Sequence, residues 1–313
     1  MSSCNNSIPQ PLIFFLTRIP GLESSHGWFS VSFFIYVFVF IVIGNVIIIC
    51  IISVEKSLHE HMFLSLAMLS VVDLSLVSVT VPHMLGIFWM DAKEISFNAC
   101  LMQMFFISLY VMESGIILTM AFDRLVAIWK SLSYTAILAN NMLVKMALEV
   151  LARAFTVLTP APILAKQLES FQTHIIAYSY CVYMAVVEIA CGDISNHIVY
   201  GSMVIVASVG FDLFLMLSYG LILHTVSLIP SWEARGKALS TSGSHFCVIA
   251  LFYSPVVFSV LVQSLGYHMA PHLQIIIDNL YFLVPPKVNP LIYGVWTKQI
   301  QKQVLRIHHC FGD

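Results

Sequence analysis

Several ionisable side chains interrupt long apolar stretches of this sequence, among them two acids and an adjacent acid–base pair. Asp73 lies in one stretch, and Glu113 lies in the next, which ends at the adjacent pair Asp123 and Arg124. An ionisable group this deep in an apolar helix costs roughly 2.5–3.5 kcal/mol on insertion scales. Groups that are kept despite this cost are expected to have a function. The segment 120–138 contains the acid–base pair, and we expect the rest of the chain to be organised around it. Glu113 and Arg124 are eleven residues apart, which is close to three helical turns, so they share one helix face.

The sequence lacks the motifs of enzymatic chemistry. His59-Glu60-His61 does not match HExxH, because the second histidine would stand at position 63, where Phe63 is found. No phosphate-binding loop, GxSxG motif or dinucleotide fingerprint occurs in a fitting context. We therefore expect no enzyme activity, no catalytic residue and no metal-ligand cluster.

The balance of residue types describes a membrane protein. Of the 313 residues, 59% are hydrophobic and only 10% are charged, whereas a soluble domain carries about 25% charged residues. Such a chain cannot cover a soluble globule with water-compatible surface, so lipid is expected around most of it. The net charge of −2 is uninformative, and the lack of a basic block argues against a nucleic-acid partner.

Seven stretches of the sequence are long and apolar enough to cross a bilayer, for which about 20 residues suffice. We predict spans at 28–52, 62–89, 100–129, 142–163, 198–228, 237–263 and 272–293. A short amphipathic helix at 297–309 would lie on an anionic leaflet. The predicted fold class is an all-α membrane protein, a seven-transmembrane-helix bundle with a short amphipathic C-terminal helix.

Lysine and arginine residues indicate which side of the membrane each connection occupies. With seven spans, nine basic residues fall on the side of the C-terminus and three on the side of the N-terminus. This predicts a plasma-membrane protein with an extracellular tail at 1–27, a membrane domain at 28–296 and a cytoplasmic helix and tail at 297–313. The long connection 164–197 is then extracellular, and so is the glycosylation sequon at Asn5.

Short motifs in the predicted spans resemble those of rhodopsin-like G-protein-coupled receptors. They are Gly44-Asn45, Leu69 with Asp73, Asp123-Arg124 and NPLIY at 289–293. The finer resemblance is to odorant receptors, through LHEHMF at 58–63, the segment 120–138 and KALSTSGSHF at 237–246. FYSP at 252–255, Met112-Glu113-Ser114 and PPKVNP at 285–290 resemble the class I, fish-like branch of that family.

This resemblance implies a switch on the cytoplasmic side. Arg124 would pair with Asp123 in the inactive state and turn toward the G protein on activation, while two switch tyrosines would rearrange toward it. The alternatives are an ordinary interfacial ion pair and an interfacial aromatic belt. The implied switch residues are Asp123, Arg124, Tyr219, Tyr293, Asn289 and Pro290.

The resemblance also implies a buried polar pocket formed by Asn45, Asp73 and Glu113, with Asn289 nearby. Two close carboxylates do not both stay ionised without a cation, so a sodium ion is the one cofactor expected there. A shared proton and a purely structural hydrogen-bond network are the alternatives.

Two cysteines resemble the bridge that ties the long extracellular connection to the third helix. They are Cys100 and Cys181. The family usually has a second pair within that connection, but the position of one member falls near Phe171. Cys191 is therefore expected to be a free thiol or to pair elsewhere, for example with Cys4.

By the same resemblance, a small odorant would bind between spans three, five, six and seven, toward the outside. Class I relatives often carry His-Arg at the outer end of span six, whereas this chain has Gln263-Ser264. Because no guanidinium is there for a carboxylate, a neutral, mainly apolar volatile is expected. The candidate lining residues, each with plain packing as its alternative, are Met104, Phe105, Ser108, Leu109, Met112, Ile205, Ser208, Phe252, Tyr253, Phe258, Val262, Ile277 and Leu280.

The predicted function is that of an odorant receptor whose partners are a small odorant, membrane lipid and a heterotrimeric G protein of the olfactory stimulatory type, which raises cAMP. Two alternatives stand beside it. An ion transporter or channel would use Asp73, Glu113, Asp212 and Asp278 as an ion path. A decayed receptor-like chain with weak or no coupling would explain departures from the family pattern at Leu125, Trp129, Ser131 and Ser133.

The third span also departs from the family in length. It appears one residue shorter than usual, just before Glu113. One missing residue rotates a helix by about 100°. A tight or wide turn is therefore expected in the third helix.

Overall fold

Helices dominate the computed structural model of the protein. The structure describes residues 7–17, 27–129, 145, 148, 150–152, 154–157, 159–228, 231–233, 235–236, 243, 247–251, 254, 258, 271–296 and 299–303. Within these residues, three helical stretches are long and apolar enough to cross a membrane: Ile35–Val54, His61–Ile87 and Phe97–Asp123. The chain is mostly helical, as predicted, and the count of seven spans stays a prediction.

The described helices follow the predicted spans closely. They are α1 (Gly27–Val54), α2 (His61–Met90), α3 (Phe97–Ser108), α4 (Tyr110–Trp129), α5 (Pro160–Lys166), α6 (Tyr183–Glu188), α7 (Ser195–Ser227) and α8 (Pro271–Trp296). A short 3-10 helix, Lys56–Leu58, joins α1 to α2. The third span comprises α3 and α4, and α5 is the end of the fourth. Of the predicted sixth span and C-terminal helix, the described residues are helical but too few to establish either element.

The third span contains the tight turn expected from its length. Helix α3 ends at Ser108 and α4 begins at Tyr110. At the break, the Leu109 N–H donates to the Phe106 carbonyl at 3.1 Å and the Met112 N–H donates to the Leu109 carbonyl at 2.7 Å. Both bonds join residues three apart, which is the spacing of a 3-10 turn and uses fewer residues per turn than an α-helix.

Helices α1 and α8 touch where proline leaves a backbone group unpaired. Pro290 has no N–H, so the carbonyl of Pro286, four residues earlier, has no helical donor. The Asn45 side-chain amide donates to that carbonyl at 3.0 Å, and also to the Ile41 carbonyl at 3.0 Å. Gly44 makes the approach close, because a β-carbon there would lie 2.8 Å from Pro290 Cβ.

Two small sheets cover one end of the helices, which the all-α prediction did not include. The strands are β1 (Ile8–Pro9), β2 (Ile13–Leu16), β3 (Glu94–Ser96), β4 (Ser170–Phe171) and β5 (Ile175–Ile176). Strand β2 lies between β3, to which it is antiparallel, and β5, to which it is parallel, while β1 pairs antiparallel with β4. Side chains along β2 alternate between its two faces, so that Phe14 and Leu16 are buried. The N-terminal segment is therefore a packed part of this end rather than only a tail.

Apolar side chains cover the outside of the long helices. Met203, Val206 and Leu213 on α7 are exposed, as are Tyr36 and Ile43 on α1. Soluble monomers rarely expose apolar surface in such continuous stretches. Lipid is the medium that suits this surface.

We predict that Gly44→Ala destabilises the protein by about 1–3 kcal/mol, because the added methyl group meets Pro290 and forces the two helices apart. Thermal unfolding of purified protein in detergent measures the change. Gly210→Ala is the matched control, since a β-carbon at Gly210 meets nothing within 4 Å. Equal melting temperatures for Gly44→Ala and the wild type would show that the helices do not depend on this contact.

Candidate functional site

A cluster of buried polar side chains lies between α1, α2, α4 and α8. Asn45, Asp73, Glu113 and Asn289 are all buried. The Asn289 amide donates to Asp73 Oδ2 at 2.9 Å. The four residues predicted for a polar pocket thus come from four helices, and one hydrogen bond joins α8 to α2.

This cluster offers oxygen atoms in excess of donors. Among the described residues, Asp73 Oδ1, both carboxylate oxygens of Glu113, and the side-chain oxygens of Asn45 and Asn289 have no hydrogen-bond partner. Asp73 and Glu113 are close enough to interact electrostatically. Buried acceptors without donors are costly, and oxygen ligands are the kind that hard cations prefer. The donor set therefore fits a small cation, although no group of three or more His, Cys, Asp or Glu forms a metal site within the described residues.

The predicted switch residues are placed in part. Asp123, Asn289 and Tyr293 are buried, and Pro290 is buried in the contact with α1. The side chains of Arg124 and Tyr219 lie outside the described residues, as does Asn5. The arrangement of the switch therefore stays a prediction.

The predicted bridge between the third helix and the long connection is confirmed. Cys100 and Cys181 form a disulfide, with 5.4 Å between their Cα atoms. The Cys181 N–H also donates to Gln103 Oε1 at 2.8 Å. Both contacts hold the connection between α5 and α7 against the first turns of α3.

The expectation of a free thiol at Cys191 is wrong, because Cys191 is disulfide-bonded. The position where the family keeps a partner cysteine is near Phe171, which has become a core residue. Its ring packs edge-on against Phe14 with 5.5 Å between centroids. The other alternative expected from the sequence, that Cys191 pairs elsewhere than with the usual partner position, is confirmed.

A cavity of about 370 Å³ lies between α3, α5, α6 and α7. This volume is within the range of small-molecule sites, roughly 300–1,000 Å³. The connection held by the Cys100–Cys181 bridge forms one wall. The lining residues are Ile107, Ser108, Val157, Ala161, Val182, Tyr183, Met184, Tyr200, Gly201, Val204 and Ile205.

The hydroxyl groups around this cavity are already paired within the protein. Ser108 donates to the Met104 carbonyl at 2.7 Å, and Tyr200 donates to the Val157 carbonyl. The Tyr183 hydroxyl shares a hydrogen bond of 3.0 Å with His197 Nδ1. Burial, with a smaller contribution from Tyr200, raises the pKa of Tyr183 to about 12, so the phenol is neutral at physiological pH. The cavity is therefore apolar with few groups free to bind a charge.

The predicted ligand residues separate into three groups. Ser108 and Ile205 line the cavity. Met104 and Met112 are buried in the hydrophobic core, and Phe105 and Leu109 pack against it. The remaining residues are Ser208 and Ile277, which are half-buried, Phe258, which is exposed, and Phe252, Tyr253, Val262 and Leu280, whose side chains are outside the described residues.

Tyr183, His197 and Tyr200 are candidate site residues that sequence reasoning missed. They lie on α6 and at the start of α7, in or beside the long connection, and no motif in the sequence marks them. The one available signal was the bridge, because Cys181 is two residues before Tyr183. A disulfide that holds the connection over the bundle also brings the following residues to the cavity.

The long helices suit a bilayer, and between them lie a buried acid cluster and an apolar cavity beneath a disulfide-tied connection. Together these features define a membrane receptor for small ligands. The olfactory receptor family model matches residues 34–310. The chain is 45% identical to human olfactory receptor 52K2 over 309 residues, covering 98% of each chain. It is 44% identical to human olfactory receptor 52B2 over 315 residues, covering 100% of this chain and 96% of the relative.

The chain therefore belongs to the olfactory receptor family. Membership makes it a multi-pass plasma-membrane protein, an odorant-sensing G-protein-coupled receptor and not an enzyme. The resemblance to the class I branch is consistent with its relatives in the 52 and 51 groups.

We predict that Gly201→Leu weakens the odorant response, because the new side chain would fill the cavity and displace Met184, which a β-carbon at Gly201 already meets. Overpacking of about 1–3 kcal/mol corresponds to about a tenfold loss of potency or more. The measurement is odorant-evoked G-protein activation, normalised to surface expression. Gly210→Leu, in open space on the same helix, is the control, and unchanged potency for Gly201→Leu would place the ligand elsewhere.

Proposed function

We propose that this olfactory receptor senses a small, neutral, mainly apolar volatile in the cavity between α3, α5, α6 and α7. The proposal rests on the composition of the cavity wall. Its lining is mostly aliphatic and aromatic, and its described residues include no lysine or arginine. A carboxylate buried there would lack the charged partner that its desolvation requires. The predicted contributions of Phe252, Tyr253, Phe258, Val262, Ile277 and Leu280 extend the site toward the sixth and seventh spans.

The proposed topology is a seven-helix bundle with its N-terminus outside and its C-terminus in the cytoplasm. The distribution of basic residues supports this orientation, and a glycan at Asn5 would require it. The domains are then the tail at 1–27, the receptor domain at 28–296 and the helix and tail at 297–313. At the end opposite the sheets, Gln303 donates to Glu55 at 3.0 Å, and Ile300 is buried while Lys302 is exposed. This pattern supports an amphipathic C-terminal helix.

The proposed output is activation of a stimulatory G protein and a rise in cAMP. Binding would favour one of two states of the bundle. Asp123 would hold Arg124 in the inactive state, and Arg124, Tyr219 and Tyr293 would rearrange on activation. The burial of Asp123 and Tyr293 supports their participation, because a polar group inside the bundle must be satisfied by another part of the protein.

The coupling is tested with a panel of neutral volatiles and their matched carboxylic acids, read as cAMP in cells that display the receptor. We expect neutral members to act at concentrations about tenfold or more below the acids, because burying an unpaired charge costs more than 1.4 kcal/mol. Arg124→Ala should abolish the signal without reducing surface expression.

Two outcomes of that panel would contradict the proposal. Silence despite surface expression, reversed by Leu125→Tyr with Ser131→Pro, would indicate a decayed receptor. Acids that act at lower concentrations than their neutral counterparts would show that the site contains a charged partner.

We further propose that the cluster around Asp73 and Glu113 binds sodium. The oxygen atoms of Asn45, Asp73, Glu113 and Asn289 that lack donors would hold the ion. The ion would supply the positive charge that two buried carboxylates need to remain ionised. A bound cation would also draw α2, α4 and α8 together.

Sodium should raise the melting temperature of the purified receptor relative to an organic cation of equal ionic strength. A tenfold excess over the dissociation constant would stabilise it by about 1.4 kcal/mol, a shift of a few degrees. Asp73→Asn and Glu113→Gln should each remove the shift. Asp193→Asn is the control, because Asp193 is a fully exposed carboxylate whose pKa is lowered by its hydrogen bonds to Ser195. An equal melting temperature with both cations would favour a shared proton.

A further inference from the structure

We propose that Cys4 and Cys191 form a second extracellular disulfide, which ties the N-terminal segment to the connection between α5 and α7. The starting observation is that Cys191 is disulfide-bonded. The usual partner position of the family is near Phe171, so the bond must use another cysteine of this chain.

Elimination leaves two candidates. The sequence contains seven cysteines: 4, 50, 100, 181, 191, 247 and 310. Cys100 and Cys181 bind each other. Cys50 and Cys247 carry free thiols. Cys4 and Cys310 remain.

The length of α2 excludes Cys310. Gln303 donates to Glu55, which places residue 303 at the end of the helices where α2 begins. Helix α2 has 30 residues and is about 45 Å long at 1.5 Å per residue. The sheets and Cys191 lie past its other end. Seven residues from Gln303 to Cys310 span at most about 25 Å, so Cys310 cannot reach.

The strand pairing brings Cys4 within reach. Ile8 pairs with Phe171, and Phe171 forms a bridge with Ala190 on its other side. Ile8 and Ala190 therefore lie on opposite sides of β4. They are two strand spacings, or about 10 Å, apart. The four residues from Ile8 to Cys4 span up to about 14 Å.

Cys191 itself is held in place beside the same strand. Its N–H donates to the Ser170 carbonyl at 2.8 Å, and Pro9 pairs with Ser170. Cys191 thus has a fixed backbone directly across β4 from the N-terminal segment. A disulfide needs two Cα atoms that are usually 4.4–6.8 Å apart. The short segment before Ile8 can bring Cys4 to this distance from the fixed backbone of Cys191.

The bond would form by thiol–disulfide exchange in the secretory pathway. The two thiols lose two protons and two electrons, and a donor disulfide takes them up and becomes two thiols. The outward-facing N-terminus proposed above supplies the oxidising compartment. A peptide map reads the bond directly, so its failure is distinct from a failure of the odorant assay.

The consequence is a second covalent tie on the wall of the cavity. Val182, Tyr183 and Met184 line the cavity and lie between Cys181 and Cys191. The first bridge fixes this segment to α3, and the second would fix its far end to the N-terminal strands. The N-terminal segment would then help to hold the cavity wall.

The test is a disulfide map of the purified full-length receptor. Free thiols are alkylated under denaturing, non-reducing conditions, the glycan is removed, and trypsin with a glutamate-specific protease cuts the chain. Cleavage after Arg18, Glu188 and Glu233 isolates Cys4 in peptide 1–18 and Cys191 in peptide 189–233, each as the single cysteine. We expect these two peptides joined by a bond that reduction breaks.

Cysteine variants give the reciprocal measurement. Cys4→Ser should convert Cys191 from unalkylated to fully alkylated, and Cys191→Ser should do the same for Cys4. Cys310→Ser and Cys247→Ser are the matched controls and should leave Cys191 protected. Alkylation of Cys191 in the wild type, its release by Cys310→Ser, or a disulfide-linked dimer through Cys191 would each overturn the proposal.

Discussion

The carbonyl oxygen of Pro286 sets a constraint on which the inner part of the bundle depends. Pro290 has no N–H to give it, and no water is present in a bilayer core to replace that donor. The Asn45 amide supplies the missing hydrogen bond and fixes α1 against α8. Asn289, one residue before Pro290, then reaches Asp73 on α2. A backbone carbonyl that proline leaves without a helical donor thus determines how α1, α2 and α8 meet.

A different constraint organises the outer end. The connection between α5 and α7 is too long to be ordered by its own hydrogen bonds alone. The Cys100–Cys181 bridge fixes it to α3, and the strands at 8–9 and 13–16 supply backbone partners to the strands within it. This arrangement keeps Tyr183 against the cavity. The wall of the cavity therefore depends on a covalent bond between two cysteines that are 81 residues apart in the chain.

The tight turn at Leu109 lies between the two sites. Ser108 before it lines the cavity, and Glu113 after it belongs to the buried acid cluster. A one-residue shortening of the third span would rotate one of these residues by about 100° relative to the other. The 3-10 spacing absorbs it locally, because each turn there needs fewer residues. Ser108 can therefore face the cavity and Glu113 can face the acid cluster, although both lie on one span.

The sequence by itself determined the long apolar helices, the family and the Cys100–Cys181 bridge, because lipid selects long apolar runs and because family motifs stand at fixed spacing. It also indicated the tight turn before Glu113. Only the tertiary structure decided the β strands of the N-terminal segment, the bonded state of Cys191 and the part that Tyr183 and Tyr200 take in the cavity. Those features depend on contacts between residues far apart in the chain, and hydropathy or periodicity describes only what lies within one segment.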